Sequence, residues 1–296
     1  MTEELFARRD LASRGIADAE IRRARRSGAI TPVRRGWYAS RGALADATLE
    51  ERHLLMAHAT LKAGGEDLAL SHESAALALG LSLWNGAPSA VHVSVDGSGG
   101  GRRGSTRWRH ATRLDEEDVQ LVGGVRVTTP ARTVADLACT LTFEEAVCVG
   151  DSALRLGGIT SREIDEAFGR CSRRRGIARA RRAVAFMDGR SESVGESRSR
   201  VYLDRHGLPV PDLQVEIAVG AHTYRPDLLW KYAGVIGEFD GMAKYTRGMQ
   251  SSDEVVVQEK LREDALRAAG WNVQRWMWKD LTDDRLALRL RDVLGI

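Results

Sequence analysis

The sequence predicts a mixed α/β protein of several domains. Its 296 residues exceed the usual size of a single domain. The residue pattern also changes twice: short helices and a strand pair come first, then a mixture of helices and strands. A helix, three strands, a helix and a strand follow, so we divide the chain into domains at residues 1–45, 46–190 and 191–296.

The composition is that of an ordinary soluble protein, with 43% hydrophobic and 29% charged residues. No apolar run approaches the roughly 20 residues that a membrane-spanning helix needs, and the N-terminal MTEELFARRD has no apolar segment typical of a secretion signal. A cytoplasmic protein is therefore expected. The cysteines, Cys139, Cys148 and Cys171, have neither CxxC spacing nor nearby histidine pairs, which argues against a disulfide framework and against a zinc site.

The net charge of +3 conceals three arginine clusters, at residues 22–35, 102–113 and 170–182. Such clusters are typical of phosphate-binding surfaces, although a solvated surface is an equal alternative for any one of them. Residues 170–190 hold eight arginines and one acid, and they are predicted to form a helix that ends at Gly189. That helix could bridge two domains or follow a phosphate backbone.

Residues 8–40 indicate a winged helix-turn-helix. RRDLASRG and ADAEIRRARRSG each read as a helix that ends at a glycine, and ITPVRRGWYAS reads as a short strand pair. Ala17, Ile21 and Ala24 have helical spacing and are predicted to face a small core, which leaves the arginines of the second helix for a DNA major groove. The strand pair would be the wing, with Trp37 or Tyr38 packed inward. The predicted DNA-binding residues are Arg22, Arg23, Arg25, Arg26, Arg34 and Arg35. An arginine-rich solvent face of a small helical domain is the alternative.

The middle of the chain carries mainly structural signals. VHVSV and RWRHAT are predicted strands around the loop GSGGGRRGS, which lacks the GxxxxGK[ST] spacing of a phosphate-binding loop. Thr129 is a predicted N-cap, and Thr142 with Glu145 has capping-box spacing. His72 and Glu73 are adjacent on a predicted helix and do not face each other, so a structural role is predicted for both.

Four segments of the first half resemble the AbiEi-type antitoxins of type IV toxin–antitoxin systems: RRDLASRG, VRRGWYA, LSHESAALALGL and GVRVTTPARTVADLA. The resemblance covers about half of the chain or a little more. It implies a winged helix-turn-helix that binds DNA upstream of its own operon, with a second domain that supports regulation. It also implies a cognate nucleotidyltransferase toxin as a possible partner.

The C-terminal domain carries carboxylates where apolar strands are predicted to end. After the helix SVGESRSRVYLDRHG, the strands LQVEIAV, YRPDLLW and VIGEFDG are followed by a helix, the strand WNVQRWMW and a final helix. This order predicts a mixed sheet flanked by helices. Asp227 lies within one apolar run, and Glu238 and Asp240 lie at the end of the next. Because hard cations prefer oxygen ligands, these residues predict a site for Mg²⁺ or Mn²⁺.

The same element order and motif residues resemble the PD-(D/E)XK nuclease core, in the branch similar to very-short-patch repair endonucleases, from about Ser193 to the C-terminus. The resemblance implies metal-dependent cleavage of double-stranded DNA, with Asp227 and Glu238 as metal ligands. Asp240 stands where that family usually has a lysine, so Lys244 or Lys260 would have to replace it. The predicted catalytic set is Glu196, Asp227, Glu238, Asp240, Lys244 and Lys260.

Structural alternatives exist for each of these residues. Glu196 lies three residues after Ser193, the spacing of a capping box, and Lys260 could pair with Asp264 on one helix. Asp227 and Glu238 could be paired with an arginine such as Arg225 or Arg275. Two functions follow: a metal-dependent DNA endonuclease, or an AbiEi-like regulator whose nuclease-like domain is inactive.

Overall fold

The computed structural model describes residues 4–65, 67–97, 101–170, 176–220, 222–241 and 253–296, without the side chains of 253–259. The prediction of a mixed α/β multidomain protein is confirmed, because several sheets and helices form two compact units. The first unit ends at Phe186 and the second begins at Met187. Within these described ranges, no helix is long and apolar enough to cross a bilayer.

The first unit opens with a three-stranded antiparallel sheet in the order β1-β3-β2. Trp37 and Tyr38 are buried, as predicted, but Ala17 is exposed because it is the N-cap residue of α2. The strand β1 was not predicted, since three residues are too few to show a period of two. The elements are β1 (Leu5–Ala7), α1 (Arg8–Ser13), α2 (Asp18–Arg26), β2 (Ile30–Arg34), β3 (Trp37–Ser40) and α3 (Arg41–Ala45).

The rest of the first unit contains a six-stranded mixed sheet in the order β6-β7-β5-β4-β9-β8. The pairs β5–β7 and β4–β9 are parallel, and the other pairs are antiparallel. Its strands are β4 (Ala69–Leu70), β5 (Val91–Asp96), β6 (Arg102–Arg103), β7 (Arg107–Thr112), β8 (Val119–Val122) and β9 (Val125–Thr128). Its helices are α4 (Leu49–Gly64), α5 (His72–Ala78), α6 (Pro130–Thr140), α7 (Phe143–Leu156), α8 (Ser161–Arg170) and α9 (Ile177–Phe186).

Two helix N-caps that the sequence predicts in this unit are present in the structure. The Thr129 hydroxyl accepts a hydrogen bond from the Arg132 amide, and Thr142 with Glu145 forms a capping box. The long helix predicted for residues 170–190 is wrong in part. α8 ends at Arg170, and α9 spans only Ile177–Phe186, so it ends before Gly189.

The buried side chain of Arg132 connects α6 to the segment before β8. Arg132 and its two carboxylate partners, Asp118 and Asp136, are fully buried. Arg132 Nε donates to Asp136 Oδ1 at 3.0 Å, and Nη1 donates to Asp118 Oδ2 at 2.5 Å. Arg170 Nε adds a 2.8 Å bond to the other oxygen of Asp118. A buried ion network of this kind is stable only while each charge keeps its partner.

Arg132→Leu is therefore expected to lower the free energy of unfolding by about 3–5 kcal/mol, because it leaves buried carboxylates without their cation. Urea unfolding followed by circular dichroism measures the change. The control is Arg162→Ala, which removes an exposed arginine paired with Glu166 and should change stability by about 0.5 kcal/mol or less. A loss below about 1 kcal/mol for Arg132→Leu would contradict the structural role of this network.

The second unit contains a four-stranded sheet in the order β10-β13-β14-β15. β13 and β14 are antiparallel, whereas β14 and β15 are parallel and are connected by the crossover helix α11. A separate hairpin is formed by β11 and β12. The elements are α10 (Val194–Arg205), β10 (Asp212–Leu213), β11 (Ile217–Val219), β12 (His222–Tyr224), β13 (Leu228–Trp230), β14 (Val235–Phe239), α11 (Asp253–Ala268), β15 (Asn272–Trp276) and α12 (Arg285–Leu294).

Two predicted strands of this unit are each divided. LQVEIAV breaks at Gln214, whose φ of +54° is incompatible with a continuing strand. YRPDLLW breaks at Pro226, which has no N–H for a strand ladder. Asp227 consequently lies in the turn before β13 and not inside a strand.

Two glycines allow close packing between α10, the first helix of the second unit, and the four-stranded sheet. A Cβ at Gly195 would overlap the Phe239 ring, and a Cβ at Gly237 would overlap the Trp276 indole. Trp276 is 1% exposed and its Nε1 donates to Ser199 Oγ of α10 at 2.7 Å. This close packing places Glu196, in the first turn of α10, near the end of β14.

Candidate functional site

The first candidate site is an arginine-lined groove, called here the helix–wing surface: Arg22 and Arg25 of α2 with Arg35 of the β2–β3 turn. The groove has a volume of about 720 Å³, and all three arginines line it. They are exposed, while Ile21 of the same helix is 4% exposed. Ile21 therefore holds α2 to the unit, and Arg22 and Arg25 flank it at the edge of the groove.

The remaining predicted DNA-binding arginines differ in position: Arg34 also lines the groove, whereas Arg23 and Arg26 do not. Arg23 and Arg26 are exposed on α2 but do not line the groove. Arg34 is partly buried, and its Nη1 donates to the Thr60 carbonyl of α4 at 3.3 Å. Burial and the nearby Arg107 lower the pKa of Arg34. Arg34 thus anchors the turn to α4, and Arg35 is the exposed arginine of the turn.

An acid at the start of α2 is neutralised within the same groove. Arg8 Nε donates to Asp18 Oδ1 at 2.9 Å, and Arg8 Nη2 contacts Asp18 Oδ2. The hydrogen bond from Arg8 lowers the pKa of Asp18, so its carboxylate stays ionised and paired. The groove consequently keeps a positive character despite the acid.

The second candidate site, the carboxylate cluster, consists of Glu196, Gln214 and Asp227. Glu196 Oε2 accepts hydrogen bonds from the Glu192 amide at 2.8 Å and from Gln214 Nε2 at 3.0 Å. Asp227 Oδ2 accepts a hydrogen bond from the Phe239 amide at 2.9 Å. Ser193 Oγ caps α10 by accepting from the Glu196 amide, while the Glu196 side chain binds the Glu192 amide and Gln214 and so takes part in the cluster; its catalytic role stays a prediction.

The surroundings of Asp227 in this cluster disfavour its ionised form. Burial raises the pKa of Asp227, and the negative charge of Glu196 raises it further, to about 6. The amide of Phe239 and the more distant Arg262 oppose the shift without cancelling it. A carboxylate pair in this condition gains stability from a proton or a cation.

Glu238 has a different environment. It is 8% exposed, and both its oxygens contact guanidinium groups: Oε1 that of Arg262 and Oε2 that of Arg275, the latter at 2.9 Å. Arg275 Nε also lies 3.2 Å from Glu263 Oε2. The arginine pairing that the sequence left open for Glu238 is thus present.

Arg262 was missed by the sequence reasoning, although a signal existed. It lies four residues before Leu266, which is 1% exposed, so the two side chains share one face of α11. A residue one turn before a buried leucine is placed to reach the sheet beneath the helix. Lys260, in contrast, is exposed on α11.

Two further residues of the predicted catalytic set are Asp240 and Lys244. The Asp240 amide donates to the Trp276 carbonyl at 2.8 Å, which extends the pairing of β14 with β15. Asp240 is partly buried. Lys244 lies outside the described residues.

A hard cation fits only part of the predicted ligand set. Mg²⁺ commonly binds one or two carboxylates and keeps several waters, and Glu196 and Asp227 offer such oxygens beside each other. The oxygens of Glu238 are engaged by Arg262 and Arg275. The Mg²⁺ or Mn²⁺ site therefore stays a prediction, and Glu238, one of its two predicted ligands, is paired with arginines.

Comparison with known proteins adds information about the N-terminal segment. Residues 4–41 match the family described as "Transcriptional regulator, AbiEi antitoxin". This segment contains the whole helix–wing surface.

Two curated relatives come from Mycobacterium tuberculosis. They are the uncharacterized proteins MT2308, of strain CDC 1551 / Oshkosh, and Rv2248, of strain ATCC 25618 / H37Rv. Each is 31% identical over 175 residues, which is 58% of this chain. The match covers 63% of the length of each relative.

Among solved structures, the crystal structure of the RV2827C protein from Mycobacterium tuberculosis matches 72% of this chain and 83% of that chain. The sequence identity is 14% and the TM-score is 0.42.

The raised pKa of Asp227 makes stability depend on pH. The folded state holds this proton more tightly than the unfolded chain, whose carboxyl has a pKa near 3.8. The contribution of this carboxyl to stability is therefore complete below the unfolded pKa and is lost as the pH rises through about 6. Asp227→Asn, measured by urea unfolding in EDTA, is expected to gain roughly 2–3 kcal/mol at pH 8.

The gain should shrink to about 0.5 kcal/mol at pH 4, where the folded carboxyl is protonated and only part of the unfolded carboxyl is ionised, and it should vanish below about pH 3. Asp264→Asn, which removes an exposed carboxylate of α11, is the matched charge control. An Asp227→Asn gain of equal size at pH 4 and pH 8 would show that Glu196 and burial do not destabilise the ionised form.

Proposed function

We propose that the AbiEi-type regulator domain of residues 4–41 binds double-stranded DNA as a winged helix-turn-helix, and that the chain is a transcriptional regulator of the AbiEi antitoxin kind. The observation that carries this proposal is the helix–wing surface, which lies entirely inside the segment that matches the family. Regulators of this kind act on chromosomal DNA, so the proposed location is the cytoplasm.

The geometry suits insertion of α2 into a major groove. The helix spans nine residues, Asp18–Arg26, and its buried side is fixed by Ile21. The major groove is about 12 Å wide and admits one helix, and arginine can bind guanine O6 and N7 with both ends of its guanidinium. Arg22 and Arg25 are the candidates for base contacts, and Arg35 for a phosphate contact beside them.

A cognate nucleotidyltransferase toxin is the proposed protein partner. Support for this partner comes from the word antitoxin in the family description and from the resemblance of the sequence to type IV antitoxins.

Arg22→Ala combined with Arg25→Ala is expected to weaken binding to DNA from upstream of the chain's own gene by at least about tenfold, because each lost arginine contact is worth about 1–3 kcal/mol. Fluorescence anisotropy at several salt concentrations measures the affinity and its salt dependence. If the two arginines also neutralise phosphates, the salt slope should fall by about 2.

The matched control is Arg162→Ala combined with Arg285→Ala, which removes the same charge from side chains that are 85% and 86% exposed. This control should bind DNA like the wild type. Equal weakening in both double variants would indicate a general effect of net charge and would contradict the assignment of α2 as the recognition helix.

A second candidate function is metal-dependent cleavage of DNA by the second unit. Two features support it: the sheet order with a parallel pair joined by α11, which suits a PD-(D/E)XK core, and the carboxylate cluster at the end of that sheet. A bound Mg²⁺ would polarise a phosphate and acidify a water, while Glu196 and Asp227 would hold the ion. The pairing of Glu238 with two arginines, and Asp240 in the usual place of the lysine, favour the regulator as the primary function.

If the second unit is a nuclease, the wild-type protein should nick supercoiled plasmid DNA with Mg²⁺ or Mn²⁺, and Asp227→Ala combined with Glu196→Ala should abolish nicking. Calorimetric titration with Mn²⁺ gives an independent readout, in which the double variant should lose the binding seen in the wild type. Asp264→Ala is the control and should retain both properties. A wild type that neither binds Mn²⁺ nor nicks DNA leaves only the regulator function.

A further inference from the structure

We infer that the first unit holds a binding site for a first-row transition-metal cation, with Zn²⁺ as the best fit, formed by His72, His92, His110 and Glu73. This site is separate from the helix–wing surface and from the carboxylate cluster. It does not depend on the function proposed for either.

The topology brings the four residues together from three elements. His72 and Glu73 begin α5, His92 lies in β5, and His110 lies in β7. β5 and β7 are parallel neighbours in which His110 is opposite Ser94, so His92 and His110 are two positions apart in register. Residues with that offset point to the same face of a sheet. The start of α5 packs on this face.

The distances are close to those that a metal requires. One nitrogen from each histidine can be chosen so that all lie within 4.8 Å of one another, and His110 Nε2 lies 3.3 Å from His92 Nδ1. Tetrahedral Zn²⁺ with Zn–N bonds of about 2.0–2.1 Å separates its ligand nitrogens by about 3.4 Å. The His92–His110 edge therefore already has the right length. The imidazole of His72 is stacked on that of His110, with ring centroids 3.8 Å apart, so a side-chain rotation would bring it to the ion.

The burial and the nearby carboxylate also favour a cation. His72 is 3% exposed and His92 is 4% exposed. Glu73 Oε2 is buried and lies 3.0 Å from His92 Nδ1, but it is not aligned as a hydrogen-bond acceptor for any group in the described part of the chain. A buried polar atom in this condition destabilises the folded state. A cation would satisfy it, and three imidazoles with one carboxylate are a ligand set typical of Zn²⁺.

The backbone and a neighbouring hydroxyl orient His72. Its φ of +51° is in the left-handed region, which a residue other than glycine adopts at a cost. Ser71 Oγ lies 3.0 Å from His72 Nδ1. A hydrogen bond at one ring nitrogen commonly fixes the other nitrogen as the metal ligand, which assigns this role to Nε2.

A route to the site is provided by a cavity of about 270 Å³. It is lined by His72 and His110, together with Gly101, Ala111, Thr112, Cys139 and Thr140. An ion can therefore enter without unfolding of the unit, and a water or an anionic ligand can complete its coordination.

The test uses the full chain without a polyhistidine tag, stripped of metal with a chelator. Calorimetric titration with Zn²⁺ is expected to give one site per chain, and Co²⁺ in its place should give the absorption bands of a nitrogen- and oxygen-ligated ion. His92→Gln and His110→Gln should each weaken binding at least tenfold. His206→Gln and His222→Gln, which change histidines of the second unit, should not alter it.

Thermal unfolding separates lost binding from lost folding. Zn²⁺ should raise the Tm of the wild type and of both control variants, because a ligand that binds the folded state stabilises it, and it should leave the Tm of folded His110→Gln unchanged. A wild-type Tm that does not rise with Zn²⁺ overturns the site, whatever the variants do. Binding that is unchanged in both His92→Gln and His110→Gln also overturns it.

Discussion

The pairing of Glu238 with Arg262 and Arg275 links β14, α11 and β15, and it occupies the oxygens of a buried carboxylate. A carboxylate that is 8% exposed must be neutralised, and here two guanidinium groups neutralise it. The same contacts engage the oxygens that a metal ion would need. Burial and the neighbouring Arg275 lower the pKa of Arg262, yet its guanidinium remains a cation at any ordinary pH. The ion pairing that holds the crossover helix on the sheet therefore opposes the use of Glu238 as a ligand.

Asp227 and Glu196 lie in surroundings that differ from those of Glu238, because amide groups contact their oxygens. Gln214 and backbone amides contact them, but burial and mutual repulsion keep the pKa of Asp227 near 6. Groups with such raised pKa values are concentrated at sites that bind protons, cations or substrates. The second unit thus contains one acid that arginines neutralise and a pair of acids in which burial and the neighbouring charge disfavour ionisation.

Some arginines of the first unit donate hydrogen bonds inside the protein, and others are exposed at its surface. Arg132 is fully buried among carboxylates, and Arg34 donates to the end of α4. Arg22, Arg25 and Arg35 are exposed around one groove. All five occur in arginine-rich or helical segments that look alike in the sequence. Only the exposed group can bind a phosphate backbone or base edges, because the buried group has already exchanged water for protein acceptors.

The sequence by itself determined the mixed α/β class, the caps at Thr129 and Thr142, and the inward packing of Trp37 and Tyr38, because these depend on residues near one another in the chain. It did not determine the contacts of Arg262 with Glu238 or the meeting of His72, His92 and His110. These features depend on strand register and helix packing between residues up to 38 positions apart. Only the tertiary structure decides which side chains share a buried space, and so which charges are neutralised and which remain able to bind a ligand.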